Sequence, residues 1–391
     1  MASYDNEKAL IPVSLAADDI HWEATKTLDV ALEGNLWNRL NFSVGFFDKI
    51  NSDLLFNVTK PMSAGTLSNT GSVPSVLTNI GTMHNYGFEL AFKVDLMRTK
   101  DFWWDFQIDA TIMKNSITKL PSGHSEPTQG LFYHKGIDQL YMTKWAGVDQ
   151  LTGNSLYEMT PNSPDYTRWD ENGNAYQDMS EWEQDLADAK AAGAFVEING
   201  KPYSTQVQYA RRQLCGSALP KVYGSFGTNA SWKGLTLNLL FTYGLGGWIY
   251  DSNYATLMTT NMTSPSALHK DVLKSWTEAP AGMTADSPNR IDKDGIPANN
   301  AYTSQFNNAE STRFLTTKSY LVLKNINLSY DLPKKWTDAM KMQGINVGVS
   351  IDNLFTVSAR KGMNPQYGFG ATQGASFVPA RVFSFQLNAR F

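Results

Sequence analysis

No run of about 18 consecutive apolar residues occurs anywhere in this sequence, so no stretch of it can cross a bilayer as a helix. Positive charge is not in excess either: 33 Lys and Arg stand against 37 Asp and Glu, a formal net charge of −4. Without a basic field, nucleic acid is not expected as a partner. Cysteine is nearly absent. Cys215 stands alone, which excludes an internal disulfide, and it reads as an ordinary small residue rather than a reactive thiol. The opening "MASYDNEKALIPVSLAADD" has no basic start followed by an apolar core, so it is not a secretory leader. The chain is then either cytoplasmic or the mature piece of something longer. His21, His84, His124, His134 and His269 never fall at the spacing of a metal-binding helix, and neither a GxSxG elbow nor a P-loop is present. "GLGGW" opens a loop rather than a helix and makes no phosphate cradle. The chain is not expected to be an enzyme.

Aromatic residues, by contrast, are abundant: 12% of the chain, with 11 Trp and 17 Tyr. Many sit in a two-residue rhythm. In "YGFELAFKVDL" Tyr86, Phe88, Leu90, Phe92, Val94 and Leu96 oppose Glu89, Lys93 and Asp95. In "FWWDFQIDATI" Phe102, Trp104, Phe106, Ile108, Ala110 and Ile112 oppose Asp105, Gln107, Asp109 and Thr111. "VYGSFGTNASW", "LTLNLLFTY", "INVGVSIDNLF" and the terminal "RVFSFQLNARF" repeat the pattern; "TKTLDVALE", "LNFSVGFFD" and "VLKNINLSY" are less regular. Each reads as a one-faced strand of about 9–11 residues, longer than the usual strand of a soluble sheet and long enough, when tilted, to span an outer membrane.

The connections alternate as well. "EGNLWN", "MRTKD", "WKG" and the somewhat longer "DLPKKWTDAMKMQG" are short, whereas residues 49–85, 114–221, 245–318 and 355–380 are long. Short turns at one end and long loops at the other are the mark of an outer-membrane barrel, periplasm below and exterior above. Phe102, Trp104, Trp232, Tyr330 and Phe391 fall at the short-turn end on the apolar parity, where an interfacial girdle belongs. The competing reading is a large soluble β-sandwich, which would need a second sheet over its apolar face and seldom carries such loops. Two short loop helices are expected. One lies in "SEWEQDLADAKAAG", with Ser180 as cap, Glu183 completing a capping box and Gly193 as stop; the other lies in "SPSALHKDVLKSW", with Ser264 as cap and Pro265 at its first position.

Several blocks resemble the SusC/RagA family of TonB-dependent outer-membrane transporters: "DIHWEATKTLDVALE", "TNIGTMHNYGFEL", "KWAGVDQLTGNSLY", "ALPKVYGSFGTNASWKGLTLNLLFTYGLGGWIYD", "VLKSWTEAP", "STRFLTTKSYLVLKNINLSYDLP", "VGVSIDNLFT" and the final strand. Each is weak alone; in this order, along essentially the whole chain, they are specific. The resemblance implies an all-β fold, residues 1–391 forming the C-terminal portion of a large antiparallel transmembrane β-barrel of about 22 strands. Nine strands are counted here, or eleven if "LYMTKWAGV" and "NSLYEM" form a further pair. A signal peptide, a TonB-contact segment, a plug and the N-terminal barrel half have no counterpart in the sequence, so the chain is expected to be a fragment or split product. A Gram-negative, Bacteroidetes-like outer membrane is the implied location. A SusD-like lipoprotein, the missing plug and barrel segment, the TonB complex acting through that segment, and membrane lipid are the implied partners. The implied solute is an oligosaccharide or a peptide. A passive porin, or the barrel of an adhesin or autotransporter, is the alternative, and a soluble carbohydrate-binding β-protein a third.

Loop aromatics suit sugar rings because both present an apolar plane with polar edges; Tyr166, Trp169, Trp248 and Tyr250 are the candidates, in competition with plain loop packing and partner contact. No cofactor is expected. Calcium is the one metal to consider: Asp170, Asn172, Asn174 and Asp178 place oxygens at suitable spacing but lack the glycine and terminal glutamate of an EF-hand loop. Phe391 is assigned to membrane assembly.

Overall fold

The computed structural model describes residues 2–4, 7–9, 17, 19–59, 75–120, 132, 135–170, 174–260, 267–367, 370, 372–373 and 379–391. Nine strands make one sheet: β1 (Ala24–Leu36), β2 (Leu40–Ser52), β3 (Thr82–Arg98), β4 (Phe102–Lys119), β5 (Val222–Trp232), β6 (Leu235–Leu245), β7 (Tyr320–Asp331), β8 (Gly344–Ser358) and β9 (Val382–Arg390). Their order across the sheet is their order along the chain. Such a meander needs no crossover, only returns at alternate ends. Among the described residues β1 and β9 are the sheet's two edges.

By contact clustering the chain forms two compact units, residues 1–36, 41–91 and 111–137 in the first, and 37–40, 92–110 and 138–391 in the second; β3 and β4 contribute to both. In the first unit, the Phe46 and Phe88 rings meet at 5.3 Å, tilted by 56°, on neighbouring strands. Here β3 and β4 outrun the expected length, at 17 and 18 residues. The reason lies at the far end of β4, where Asn115 and Ile117, and Leu120 just beyond the strand, are buried. The Ile137 N–H donates to Asn115 Oδ1 at 2.7 Å and the Ile117 N–H to the Lys135 carbonyl at 2.8 Å, so the following segment continues the pairing.

In the second unit the register of β5 to β9 sorts residues into rows. Asn229, Asn238, Asn327, Ser350 and Ser384 lie side by side; the next row is Ala230, Leu237, Leu328, Val349 and Phe385. Then come Ser231, Thr236, Ser329, Gly348 and Gln386, followed by Trp232, Leu235, Tyr330, Val347 and Leu387. Polar and apolar rows alternate because side chains alternate faces along each strand. The β5–β6 return takes two residues, Lys233 (φ 47°) and Gly234 (φ 88°), the left-handed pair that a tight hairpin requires.

The long connections build sheets of their own. Trp145–Asp149 and Ser155–Glu158 do pair, but within a five-stranded loop sheet that also holds Phe195–Ile198, Lys201–Ser204 and Ile291–Asp292. Gln139–Met142 pairs instead with Gln213–Ser217. The main sheet therefore keeps nine strands rather than eleven. At four or five residues these segments are too short to span a bilayer, and Val148, Leu156 and Tyr157 are fully buried, the opposite of a lipid-facing strand.

Both expected loop helices are revised. The first runs Met179–Ala191, and its cap is Asp178 rather than Ser180. The Asp178 carboxylate accepts from the Ser180 N–H at 3.1 Å and the Ser180 hydroxyl at 2.6 Å, a stronger acceptor at the positive end of the helix than the hydroxyl alone. Gly193 follows at φ 65° as the stop. In the second segment Ser264 and Pro265 lie outside the described residues; a 3-10 turn, Lys270–Lys274, is capped by His269.

Candidate functional site

The sheet's chemistry is reversed relative to a soluble protein. Phe385 is 83% exposed and Leu387 71%, while on the other parity Asp105 is fully buried. Asp105 accepts from Asn229 Nδ2 at 2.8 Å, with Lys93 Nζ 3.8 Å from its second oxygen. Asn325 Nδ2 donates to Asp352 at 2.7 Å and to Ser350 at 3.1 Å. Asp109 accepts from both the N–H and the hydroxyl of Ser225 on the adjoining strand, standing in for a ladder carbonyl. A Cβ at neighbouring Gly224 would fall onto the Asp109 carbonyl oxygen, which accounts for the glycine of the "VYG" motif. A face of networked carboxylates and amides is stable against water or other polar groups, and a face of bare Leu, Val and Phe rows is stable against hydrocarbon.

At the short-turn end the Lys233 N–H donates to the Asp101 carbonyl and the Asp331 N–H to the Gly234 carbonyl, bringing the turns side by side. Trp104, Trp232 and Phe391 are exposed there. So are Trp37, in the β1–β2 turn, and Trp336, in the short helix Lys334–Ala339; alternation marks neither, because both lie outside the alternating segments. Deleting Phe391 is expected to lower the amount of assembled, heat-modifiable barrel in membranes by roughly tenfold, because transferring its ring from water is worth about 1.5–3 kcal/mol. Unchanged levels would remove Phe391 from any role in assembly.

The four loop aromatics part company. Tyr166 is buried, its hydroxyl donating to Asp185 at 2.7 Å and its ring 5.5 Å from the Arg211 guanidinium. Tyr250 packs edge-on against Phe314 at 6.1 Å, and burial pushes its hydroxyl up to about 12. Both rings serve the loop core and present no face to a solute. Trp169 pairs through its backbone with Ala175, and its side chain lies outside the described residues. Trp248 is 46% exposed. Of the calcium candidates, Asn172 lies outside the described residues. Asp170 accepts from the Asn174 N–H at 2.7 Å and from its Nδ2 at 3.0 Å, closing a turn, and Asp178 is the helix cap. Among the described residues no group of three His, Cys, Asp or Glu side chains could hold a metal ion.

Forked ion pairs fasten the loops. Arg290 donates to both oxygens of fully buried Asp149, at 2.8 and 2.9 Å. Arg211 does the same to Asp185 at 2.6 and 3.0 Å. Burial alone would raise the Asp149 carboxyl, but hydrogen bonds from Arg290, the Leu151 N–H and Thr152, with the Arg290 charge, outweigh it and hold the group below the usual carboxylate range. Among the described residues, two of the cavities in this assembly are lined by charged and aromatic side chains. One, about 380 Å³, lies between Tyr254, His269, Asp271 and Arg360, where Arg360 covers the Tyr254 ring at 3.5 Å and pairs with Asp251 at 3.5 Å. The other, about 440 Å³, is walled by Trp145 and Trp248 and rimmed by Lys144, Glu158 and Lys293.

No protein-family model matches the chain. Among curated proteins it is similar to TonB-dependent receptor P3 of Formosa agariphila, 25% identical over 98% of this chain and 35% of the relative. It is also similar to TonB-dependent receptor SusC of Bacteroides thetaiotaomicron, 24% identical over 96% of this chain and 32% of the relative. The chain thus spans about a third of the length of these relatives. Among solved structures, the RagAB peptide transporter shares the fold, with a TM-score of 0.70 and 24% identity over 99% of this chain and 39% of that one. The likeness extends over nearly the whole of this chain, and in sequence and fold it is similar to TonB-dependent transporters of the SusC and RagA kind.

Proposed function

We propose that the chain supplies part of the barrel wall and the outer loops of an outer-membrane importer for oligosaccharides or peptides. It is the C-terminal portion of that importer; the remaining strands and a plug complete it, TonB energises it through the plug segment, and a SusD-like lipoprotein covers the loops. The observation that carries this reading is the pair of opposed faces, with exposed apolar rows backing onto a networked polar surface. The open edges β1 and β9 support completion by further strands, since an unpaired edge cannot remain within a bilayer. Peptide as a solute is supported by the likeness to RagAB, oligosaccharide by the exposed indole in the loops. No catalytic role is assigned to any residue.

A passive porin would share the wall but not the need for energy. Uptake of a labelled solute into cells carrying the intact parent is expected to collapse when a protonophore dissipates the proton-motive force. Uptake that persists unchanged would favour the porin.

A further inference from the structure

We infer that the cavity between Trp145 and Trp248 is a subsite for a carboxylate-bearing solute with a flat C–H face, a refinement that rests on the importer reading above. Its volume, about 440 Å³, is that of a small-ligand pocket. Trp248 packs closely against its neighbours. Its backbone pairs with Thr317, and its indole edge lies where a Cβ on Gly216 (φ 122°) would come within 2.8 Å of Cδ1, so only glycine lets the ring settle there. Yet the ring stays 46% exposed at the cavity wall. Trp145 is anchored too, its Nε1 donating to Ser155 at 3.1 Å. The Arg313 guanidinium lies over the Trp145 ring at 5.7 Å, and the exposed part of the Trp248 ring suits a planar apolar surface.

The rim decides the charge. Lys144 faces Glu158 at 3.7 Å, a loose pair between half-exposed groups. Lys293 is exposed and, among the described residues, has no hydrogen bond or ion pair. Two ammoniums against one carboxylate leave the cavity net positive in a chain of net charge −4. Cys215 on the wall adds no anion, since burial raises its thiol. A neutral solute would leave Lys293 unanswered; a carboxylate placed between Lys144 and Lys293 completes the set. A uronate ring of an acidic oligosaccharide and the C-terminal residue of a peptide both carry this chemistry.

The test uses the intact transporter purified in detergent, titrated with trigalacturonate, a neutral glucose trimer, and one tripeptide as free acid and as C-terminal amide. Binding of at least one carboxylated probe is expected, about tenfold tighter than its neutral counterpart and weakened by salt. The probe that binds identifies the source. Lys293→Ala and Trp248→Ala are each expected to lower affinity about tenfold, with Lys293→Arg retaining most of it. Equal affinity for charged and neutral probes, no binding of either acid, or indifference to both alanine variants would overturn the subsite. Heat-modifiability of each variant verifies folding. Because binding in detergent needs neither TonB nor a membrane potential, binding with energy-independent uptake would refute the importer reading and leave the subsite standing.

Discussion

Phe385→Arg is expected to destabilise the membrane-inserted protein by about 2–4 kcal/mol, while Ser384→Arg, one residue away, changes stability by no more than about 0.5 kcal/mol. Both positions lie at the middle of β9 and both are exposed, so in water the two substitutions would be equivalent. They differ only in face. Phe385 continues the row of Leu237, Leu328 and Val349, and Ser384 the row of Asn238, Asn327 and Ser350. Arginine on the first must enter hydrocarbon; on the second it meets amides and water. Denaturant titration of the heat-modifiable form in phospholipid vesicles reads the difference. Equal effects would mean that the apolar rows face a protein surface or water.

Asp149→Asn is expected to loosen the loop assembly by about 3–5 kcal/mol, with the spanning strands unaffected. The substitution leaves Arg290, itself buried, with no opposing charge across 2.8 and 2.9 Å contacts that close the Asp149–Arg290 fork. Limited proteolysis should show faster cleavage in residues 150–160 and 285–295 and an unchanged barrel core. The double change Asp149→Leu with Arg290→Met should recover much of the loss, because the cost lies in the unpaired charge rather than in the absence of a pair. The pH dependence has a fixed sign. Asp149 titrates lower folded than unfolded, so its contribution is complete above the unfolded value of about 3.9 and disappears as pH falls through the lower folded one. Loop protection in the unsubstituted protein should therefore decline on acidification below about pH 4, and that part of the decline should be missing in Asp149→Asn. A single substitution without effect on proteolysis would show that the fork does not hold the loops.

What the sequence disclosed follows from what period-two alternation can carry. It marks which residues share a face, so all nine strands were legible from runs such as Phe383, Phe385 and Leu387. It does not mark where a strand stops once burial takes over, so the extension of β4 through Asn115 and Ile117 is not legible in it. The sequence leaves open whether "LYMTKWAGV" and "NSLYEM" form a further pair in the barrel wall. Only their pairing with Lys201–Ser204 and Ile291–Asp292, far away in sequence, shows that they belong to the loops. The candidate site was harder to see for the same reason. An aromatic ring in a loop carries no sequence label for burial, so Tyr166 and Tyr250 looked equivalent to Trp248 until Asp185 and Phe314 were found against them. Nothing in the sequence marks Trp145, Lys144 and Lys293, because long-range loop contacts alone bring them to one cavity.

The opposed faces of the sheet are most directly tested by spin labels placed singly at each residue from 382 to 390, on a Cys215→Ser background, in the membrane-inserted protein. Collision rates with lipid-dissolved oxygen should peak at Phe383, Phe385 and Leu387. Rates with a water-soluble nickel complex should peak at Ser384, Gln386 and Asn388, the two profiles running in antiphase with a period of two. High access to the nickel complex at all of these positions, or profiles without that period, would contradict a lipid-facing wall.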